Sequence, residues 1–454
     1  MTDVIERLTA VVGPDSIVTG DLLLERATSY WDSSPTRAKA LIRPQSTEEV
    51  SLVMKICHDL DQAVVVQGGL TGVVSGAVAS EDDVIVSLDR MDAIEDVDEL
   101  DGIVVVQAGA ILQNVQESLA DRGFLFPLDF GARGSCMIGG CVATNAGGIN
   151  VLRYGMTRQN LLGVEAVLAD GTIVSSMNQM LKNNTGYDLK QLFVGSEGTL
   201  GIVTRAVFRL FPLPTSRQTA VIATHSFDAV TRLLRAMRAD LAGTLSAFEV
   251  MWDRYMAGVT KPGAHAAPFA ERHSYYVLAE AEGSDGDADA KRFEALLERG
   301  FEAGDIVDAI IPKSDAERRA LWNIREEFDP ILPAYLYDVS MPMKAMVPYV
   351  ERIEERLREW RKDAECYVFG HIADGNLHIF VTPYDDGVHH EECDRIVYES
   401  LDGFAGSISA EHGIGIEKRQ WLGKSRSADE IRIMRQIKAT LDPKGLLNPG
   451  RVID

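Results

Sequence analysis

Glycine is concentrated in three segments of the first half of the chain, and this restricts the fold more than any other sequence feature. Seven of the 39 glycines lie between Gly131 and Gly155, in GARGSCMIGGCVATNAGGINVLRYG, and residues 68–72 and 195–201 are also glycine-rich. Glycine lets the backbone turn tightly and lets a ligand or a second backbone approach closely. We therefore expect three backbone surfaces along one long ligand, with purely structural turns as the alternative.

The first of these segments, GGLTG at 68–72, follows an apolar strand that ends at Gln67. Consecutive glycines there can expose several backbone N–H groups in a concave nest that suits a pyrophosphate. The chain contains neither Gly-x-Gly-x-x-Gly nor a complete P-loop, because the Gly-Lys-Ser at 423–425 lacks the upstream glycine. The sequence thus disfavours both common nucleotide-binding loops, and an ordinary glycine-rich turn is the other interpretation.

Length, charge and cysteine content narrow the class of protein. A chain of 454 residues exceeds what one core usually serves, so we expect two domains or one with a large insertion. The net charge of -23 argues against a nucleic-acid partner. The five cysteines form no zinc spacing, the N-terminus is acidic, and no apolar run approaches the ~20 residues of a membrane span. We expect reduced thiols and a cytoplasmic protein.

Periodicity predicts a mixed α and β organisation. A capping box at 46–49 opens a helix that we extend to Asp61. We further predict strands at 63–67, 84–88 and 103–108, a helix at 111–121, and a hairpin that joins 161–168 to 172–175. Glycine density falls near Pro212 and Pro214, where we place a boundary before a second α+β module.

Two histidines lie close to a strong turn signal in the second module. In YVFGHIADGNLHIFV, a two-residue loop at Asp374 and Gly375 would pair His371 directly with His378, with Cβ atoms roughly 5 Å apart. Two such imidazoles and the carboxylate of Glu411 can bind one divalent ion, and core histidines are the alternative. His412 is adjacent in sequence, and an imidazole with a pKa of about 6.5 suits a general base.

The chain resembles a known flavoprotein family in a series of ordered motifs. They are PQSTEEV, QGGLTGVVSGAV, GSCMIGGCVATNAGG, LRYG, NNTGYDLKQLFVGSEGTLGIVT, GHIADGNLH, SAEHGIG and LDPKGLLNPGR. Together these motifs resemble the vanillyl-alcohol-oxidase-type FAD family, nearest the D-2-hydroxyglutarate and D-lactate dehydrogenases. The resemblance implies an α+β fold with a two-subdomain PCMH-type FAD-binding domain at 1–213, a cap domain with an antiparallel sheet at 214–405, and a C-terminal segment at 406–454 that returns to the FAD domain.

The resemblance also implies a ligand set. It predicts non-covalent FAD, since no histidine occurs between His58 and His225, and Zn or Mn on His371, His378 and Glu411. The residues it implies as FAD contacts are Gly68, Gly69, Leu70, Thr71, Gly72, Pro127, Asp129, Ser135, Gly139, Gly140, Thr144, Asn145, Gly147, Gly148, Tyr154, Glu197, Gly198, Gly201, Ile202 and Asn448.

Arg325 occupies the position where the resemblance implies an arginine that binds the substrate carboxylate, a role that suits a planar charged fork. Without the resemblance, an exposed i,i+4 pair with Asp329 would be the preferred interpretation. Asp329, Leu336 and Phe380 replace polar residues of hydroxyglutarate-type relatives, so burying a second substrate carboxylate would be costly. We expect a small or apolar substrate side chain, as in D-lactate.

Several alternatives stay open at this point. They are a D-2-hydroxyglutarate dehydrogenase, an oxidase of the same fold that reduces O2 and acts on another alcohol, and a non-enzymatic flavin-binding protein. For a dehydrogenase we expect a separate electron acceptor, whether a quinone, an electron-transfer flavoprotein or a cytochrome. We also expect a homodimer.

Overall fold

Two units, each assembled from separate stretches of sequence, make up the computed structural model, which describes residues 2–241 and 243–453. The first unit comprises Met1–Gly148, Gly155–Leu213 and Glu411–Asp454, and the second comprises Ile149–Tyr154 and Pro214–Ala410. The sequence-based boundaries after 213 and 405 stay predictions; in this division residues 149–154 and 406–410 belong to the second unit. The short helix Val151–Tyr154 packs on a strand of the second unit, and Ser407 forms a bridge with Ser340.

The strands of the first unit coincide with the β-branched runs of the sequence. They are β1 Ile17–Val18, β2 Ala40–Ile42, β3 Val64–Gln67, β4 Val84–Ser87, β5 Ile94–Asp98, β6 Ile103–Gln107, β7 Phe124–Leu125, β8 Leu161–Val167, β9 Ile173–Ser176, β10 Ile202–Arg209 and β11 Phe211–Pro212. The helices are Thr2–Val12, Asp21–Leu24, Thr47–Asp59, Leu112–Ala120, Ile138–Thr144, Thr157–Asn160, Lys190–Phe193 and Ala428–Leu441. The predicted strands, the two predicted helices and the β8–β9 hairpin are confirmed.

These strands form two main sheets. The first has the order β1-β2-β4-β3 and is parallel except for β1, while the second is antiparallel with the order β5-β6-β10-β8-β9. Strands β7 and β11 make a separate pair. Each sheet has its own apolar core, and the helix Thr47–Asp59 packs over the first. Ser46 caps this helix, but Glu49 bonds the N–H of Gln45 instead of closing a reciprocal capping box.

The end of the chain covers the free edge of β3. Val64 donates its N–H to Leu446 O at 2.8 Å, and Asn448 donates its N–H to Val64 O at 2.8 Å. The Asn448 side chain then accepts the Val66 N–H at 2.8 Å. Segment 446–448 therefore satisfies backbone groups that an edge strand would leave unpaired.

The second unit is built on one seven-stranded antiparallel sheet, with the order β15-β12-β14-β13-β17-β18-β16. Its strands are β12 Ser216–Thr224, β13 Leu245–Trp252, β14 Tyr275–Gly283, β15 Asp308–Ile310, β16 Tyr335–Ser340, β17 Glu365–Gly370 and β18 Asn376–Thr382. Its helices, besides Val151–Tyr154, are Phe227–Asp240, Asp253–Val259, Gly286–Glu302, Asp315–Glu326, Met343–Trp360 and His390–Glu399. The antiparallel sheet expected for this module is confirmed.

All five cysteines are buried free thiols, as expected for a reduced protein. Among the residues that the structure describes, no helix combines the length and the apolar character that a membrane crossing requires.

Candidate active site

The loop at 68–72 exposes its backbone donors. In this fully described stretch, none of the five N–H groups donates a hydrogen bond to a protein acceptor. Leu70 has a φ of 57°, so the loop curls into the left-handed region directly after β3. A Cβ on Gly69 would lie 2.0 Å from Ser135 O, whereas one on Gly72 would meet nothing within 4 Å. The loop thus packs tightly on one side and is open on the other, which fits a pyrophosphate nest.

The second glycine segment continues from that contact. Ser135 and Gly140 are exposed, and Gly140 has open space around it. Gly139 instead packs against Ala108 of the sheet core. Thr144 donates its hydroxyl to Gly140 O at 2.9 Å, and Asn145 accepts the Arg158 N–H at 2.9 Å. Ser135 and Gly140 are therefore accessible to a ligand, whereas the side chains of Thr144 and Asn145 already bond the protein.

Farther along, the expected FAD contacts divide between two environments. Pro127 and Gly147 are buried, and Asp129 forms an ion pair with Arg133 at 2.8 Å. Gly148 donates its N–H to Glu411 Oε1 at 3.0 Å. Tyr154 is buried in the second unit, where burial raises the pKa of its hydroxyl to about 12. Tyr154 therefore belongs to a different unit from the other expected contacts.

The third segment is joined to the chain end by Asn448. Its Nδ2 donates to Glu197 O at 2.6 Å, while its Oδ1 accepts the Val66 N–H. Gly198 lies against Asn448, Gly201 against Phe193, and Ile202 is a core residue of β10. Asn448 thus ties the 195–201 loop to the strand that leads into the loop at 68–72.

Glu197 supports the segment that carries Glu411 and His412. Its two carboxylate oxygens accept the N–H groups of Ile414 at 2.7 Å and Gly415 at 2.8 Å. Gly415 has a φ of 51°, and a Cβ there would lie 1.9 Å from Val74 O, so only glycine fits. Desolvation raises the pKa of the Glu197 carboxyl, although the two N–H donors and Lys418 oppose the shift. Glu411 and His412 are both half-buried.

Within the second unit, Arg325 is buried and does not form the exposed pair with Asp329 considered above. Its Nε donates to Glu249 Oε2 at 2.8 Å, and its guanidinium lies 4.6 Å from the centre of the Phe369 ring. Asp329 is exposed. The exposed-pair interpretation is wrong because Ser314 caps a helix that directs Arg325 into the sheet instead of into solvent.

The hairpin brings the two histidines together in a register different from the expected one. His378 pairs with Phe369, not with His371, because the loop between β17 and β18 contains five residues, 371–375, with a 3-10 turn followed by left-handed Gly375. The rings nevertheless approach to 5.3 Å between centroids, and ring nitrogens lie within 4.8 Å. His371 Nδ1 lies 2.6 Å from Glu249 Oε1. Two buried imidazoles, one held by a carboxylate, fit the ligands of a divalent ion.

Asp338 is a second buried carboxylate of this region. It pairs with His378 across β16 and β18. Its Oδ2 accepts the Ala410 N–H at 2.8 Å and the Ser409 hydroxyl at 3.3 Å. Asp338 therefore fixes the backbone immediately before Glu411.

The remaining expected pocket residues are apolar and adjacent. Leu336 pairs with Phe380 across the same two strands; Phe380 belongs to the core of the second unit, and the partly buried Leu336 packs against that core. Phe380 contacts Phe328 and Phe369 with ring centroids 5.0 and 5.1 Å apart. No charged group for a second substrate carboxylate stands at either position.

Sequence reasoning missed Glu249 and Asp338. Each is a single acidic residue inside an apolar strand, in LSAFEVMW and YLYDVS. A buried carboxylate requires a cationic or hydrogen-bonding partner, so an isolated acid in a core strand is a usable signal.

Two family models match the chain. A model described as "FAD binding domain" matches residues 38–176, and one described as "FAD linked oxidases, C-terminal domain" matches residues 213–452. The chain is similar to the mitochondrial D-2-hydroxyglutarate dehydrogenase of Bos taurus, with 39% identity over 97% of this chain and 82% of that protein. It is 40% identical to a D-2-hydroxyglutarate dehydrogenase of Xanthomonas citri, over 94% of this chain and 91% of the relative.

Other similarities extend the comparison. A putative mitochondrial D-lactate dehydrogenase of Schizosaccharomyces pombe is 36% identical over 92% of this chain and 82% of its own length. Among solved structures, p-cresol methylhydroxylase with substrate bound matches with a TM-score of 0.76 and 17% identity, over all of this chain and 97% of that one. An alkyldihydroxyacetonephosphate synthase matches with a TM-score of 0.74 and 17% identity, over 99% and 84% of the two chains. The structural matches identify the fold.

Proposed function

The chain belongs to the FAD-linked oxidase family, in which its relatives at about 40% identity are D-2-hydroxyglutarate dehydrogenases, and we propose that it oxidises a D-2-hydroxy acid to the 2-oxo acid. The observation that carries this proposal is the buried Arg325, which lies beside His371 with Nη2 and Nε2 3.5 Å apart. A fixed guanidinium next to a candidate metal ligand suits a substrate that carries a carboxylate beside its reacting hydroxyl.

The free N–H groups of 68–72 and the exposed backbone near Ser135 and Gly140 would hold FAD in the first unit. FAD, when bound, supplies a ring that accepts a hydride from the substrate carbon. No histidine lies between His58 and His225, which supports non-covalent binding.

His371, His378 and Glu411 would hold a Zn or Mn ion. Glu411 follows Ala410 directly in the chain, so their Cα atoms are about 3.8 Å apart. The N–H of Ala410 donates to Asp338, and Asp338 is the residue that pairs with His378 across β16 and β18. This chain path supports Glu411 as the third ligand. A bound divalent ion supplies Lewis-acid stabilisation of an alkoxide.

The chain's own residues then have distinct roles. Arg325 binds and orients the substrate carboxylate, and His412 accepts the hydroxyl proton. Removal of a general base typically costs about 10²- to 10⁴-fold in rate. His412→Asn should therefore slow flavin reduction by that order while FAD content stays unchanged.

Leu336 and Phe380 favour a small or apolar substrate side chain such as that of D-lactate. A carboxylate buried against them would lose its hydration without gaining a partner. D-2-hydroxyglutarate is the second candidate, favoured by the bovine and Xanthomonas relatives.

One anaerobic experiment tests these proposals together. Purified flavoprotein is mixed with D- and L-lactate, D- and L-2-hydroxyglutarate and a longer apolar D-2-hydroxy acid, and bleaching of the flavin band is followed. We expect bleaching by D enantiomers only, fastest with apolar side chains, and loss of bleaching after treatment with a chelator. Equal bleaching by L enantiomers, or full turnover without the ion, would contradict the mechanism.

The same material tests the electron acceptor. In a dehydrogenase the flavin stays reduced when air is admitted. It is reoxidised when its electrons pass to a quinone, an electron-transfer flavoprotein or a cytochrome. Rapid reoxidation by O2 would instead indicate an oxidase. The homodimer and the cytoplasmic location remain predictions, which light scattering and cell fractionation would check.

A further inference from the structure

Glu249 is a buried carboxylate with two different partners. It lies on β13, and its side chain is 1% exposed. Oε1 lies 2.6 Å from His371 Nδ1, and Oε2 accepts Arg325 Nε at 2.8 Å. One carboxylate therefore contacts both a proposed metal ligand and the proposed substrate-binding arginine.

The sheet register explains this position. Val250 pairs with Gly370 across β13 and β17, and Glu249 and His371 are the residues that adjoin this pair in their two segments. Glu249 accepts hydrogen bonds on both of its oxygens, one of them from the charged guanidinium of Arg325.

The contact with His371 determines which nitrogen is available to a ligand. When Nδ1–H donates to a carboxylate, the lone pair remains on Nε2, and the ring orientation is fixed. Nε2 is also the atom 3.5 Å from Arg325 Nη2. The orientation of the imidazole and the position of the guanidinium therefore depend on the same carboxylate.

We propose that Glu249 is a positioning residue that orients both His371 for metal binding and Arg325 for substrate binding. This inference rests on the proposed function. Glutamine at position 249 would replace one carboxylate oxygen by an NH2 group, so one of the two donors would lose its acceptor. It would also remove the negative charge, so the remaining contact would lose its charge assistance and both partners would be held less firmly. Loss of such a supporting contact typically weakens metal affinity about 10- to 100-fold.

Glu280 provides a matched control. It is a buried carboxylate on neighbouring β14, and it accepts Arg318 Nε and Nη2, both at 2.6 Å, from the same helix, Asp315–Glu326, that carries Arg325. The Trp322 indole also donates to it, at 3.1 Å. Glu280→Gln therefore disturbs the same helix–sheet contact without touching either residue that Glu249 orients.

The test compares wild type, Glu249→Gln and Glu280→Gln as FAD-loaded chains stripped of metal. Zn2+ is titrated against a chromophoric chelator, and steady-state KM and kcat are then measured with the best D-2-hydroxy acid. We expect Glu249→Gln to raise the Zn2+ dissociation constant and KM each by at least tenfold, with a smaller change in kcat. We expect Glu280→Gln to leave both within about twofold.

Three results would overturn the inference alone. The first is a Glu249→Gln chain whose Zn2+ dissociation constant and KM both equal those of wild type. The second is a change in only one of these two quantities. The third is a Glu280→Gln chain that changes both as much as Glu249→Gln does. A wild-type chain that binds no Zn2+ would overturn the proposed metal site and this inference together.

Discussion

Replacing Asn448 by alanine should destabilise the first unit and weaken FAD binding. The change removes two part-buried hydrogen bonds, to Val66 N and Glu197 O, and leaves both backbone groups without that partner. Each such group costs about 1 to 3 kcal/mol. Asn448 also has a φ of 43°, which costs alanine about 1 to 2 kcal/mol. The combined loss is about 3 to 8 kcal/mol.

The assay is urea unfolding of the flavin-free chain together with titration by FAD. Because Val66 lies just before the loop at 68–72 and Glu197 lies within the loop at 195–201, we expect FAD affinity to fall with stability. Asn183→Ala is the control, since this exposed asparagine bonds only the exposed Thr185 N–H, and surface changes of this kind cost about 0.5 kcal/mol or less. An Asn448→Ala chain that loses less than about 1 kcal/mol and retains FAD would refute the reasoning.

The other predictions concern single contacts. Gly69→Ala should purify with little flavin, because the added Cβ would overlap Ser135 O. Gly131→Ala is the control and should purify fully yellow, because a Cβ there would meet nothing within 4 Å. Equal flavin content in the two variants would contradict the close approach of Gly69 to Ser135. Arg325→Lys should raise KM at least tenfold in initial-rate assays, because an ammonium cannot replace the guanidinium fork; an unchanged KM would exclude Arg325 from substrate binding. Desolvation raises the pKa of the Glu197 carboxyl in the folded chain. Above about pH 4.5 the unfolded chain therefore releases a proton that the folded chain still holds, and the free energy of unfolding falls as pH rises. Glu197→Gln should remove that slope in unfolding curves measured across pH, and a parallel slope in both chains would argue against it.

Local patterns in the sequence were enough to predict most of the strands and helices of the first unit. Strands with β-branched runs and helices opened by serine caps depend on neighbouring residues, and they formed as expected. The predicted register of the His371–His378 hairpin is wrong because a two-residue loop and the observed five-residue loop share the same Asp-Gly signal. The two rings still approach to 5.3 Å between centroids, because His371 lies only two residues beyond Phe369, the strand partner of His378.

The supporting carboxylates lay beyond local reasoning. Glu249 lies 122 positions from His371 and 76 from Arg325, so only the assembled sheet reveals their contact. Local helix spacing likewise pairs Arg325 with its neighbour Asp329, although its observed partner is Glu249, on a strand far earlier in the chain. Helix spacing predicts pairs along one element but not which distant element the same face will meet.

The strand segment 446–448 also sets a limit on biosynthesis. During translation at about 5 to 20 residues per second, β3 leaves the ribosome long before the segment that covers its edge. Until the final residues emerge, Val64 and Val66 present open backbone groups that invite pairing with other nascent chains. A product cut short before Asn448 should therefore fail to accumulate flavin, which the flavin content of the purified truncated chain would check.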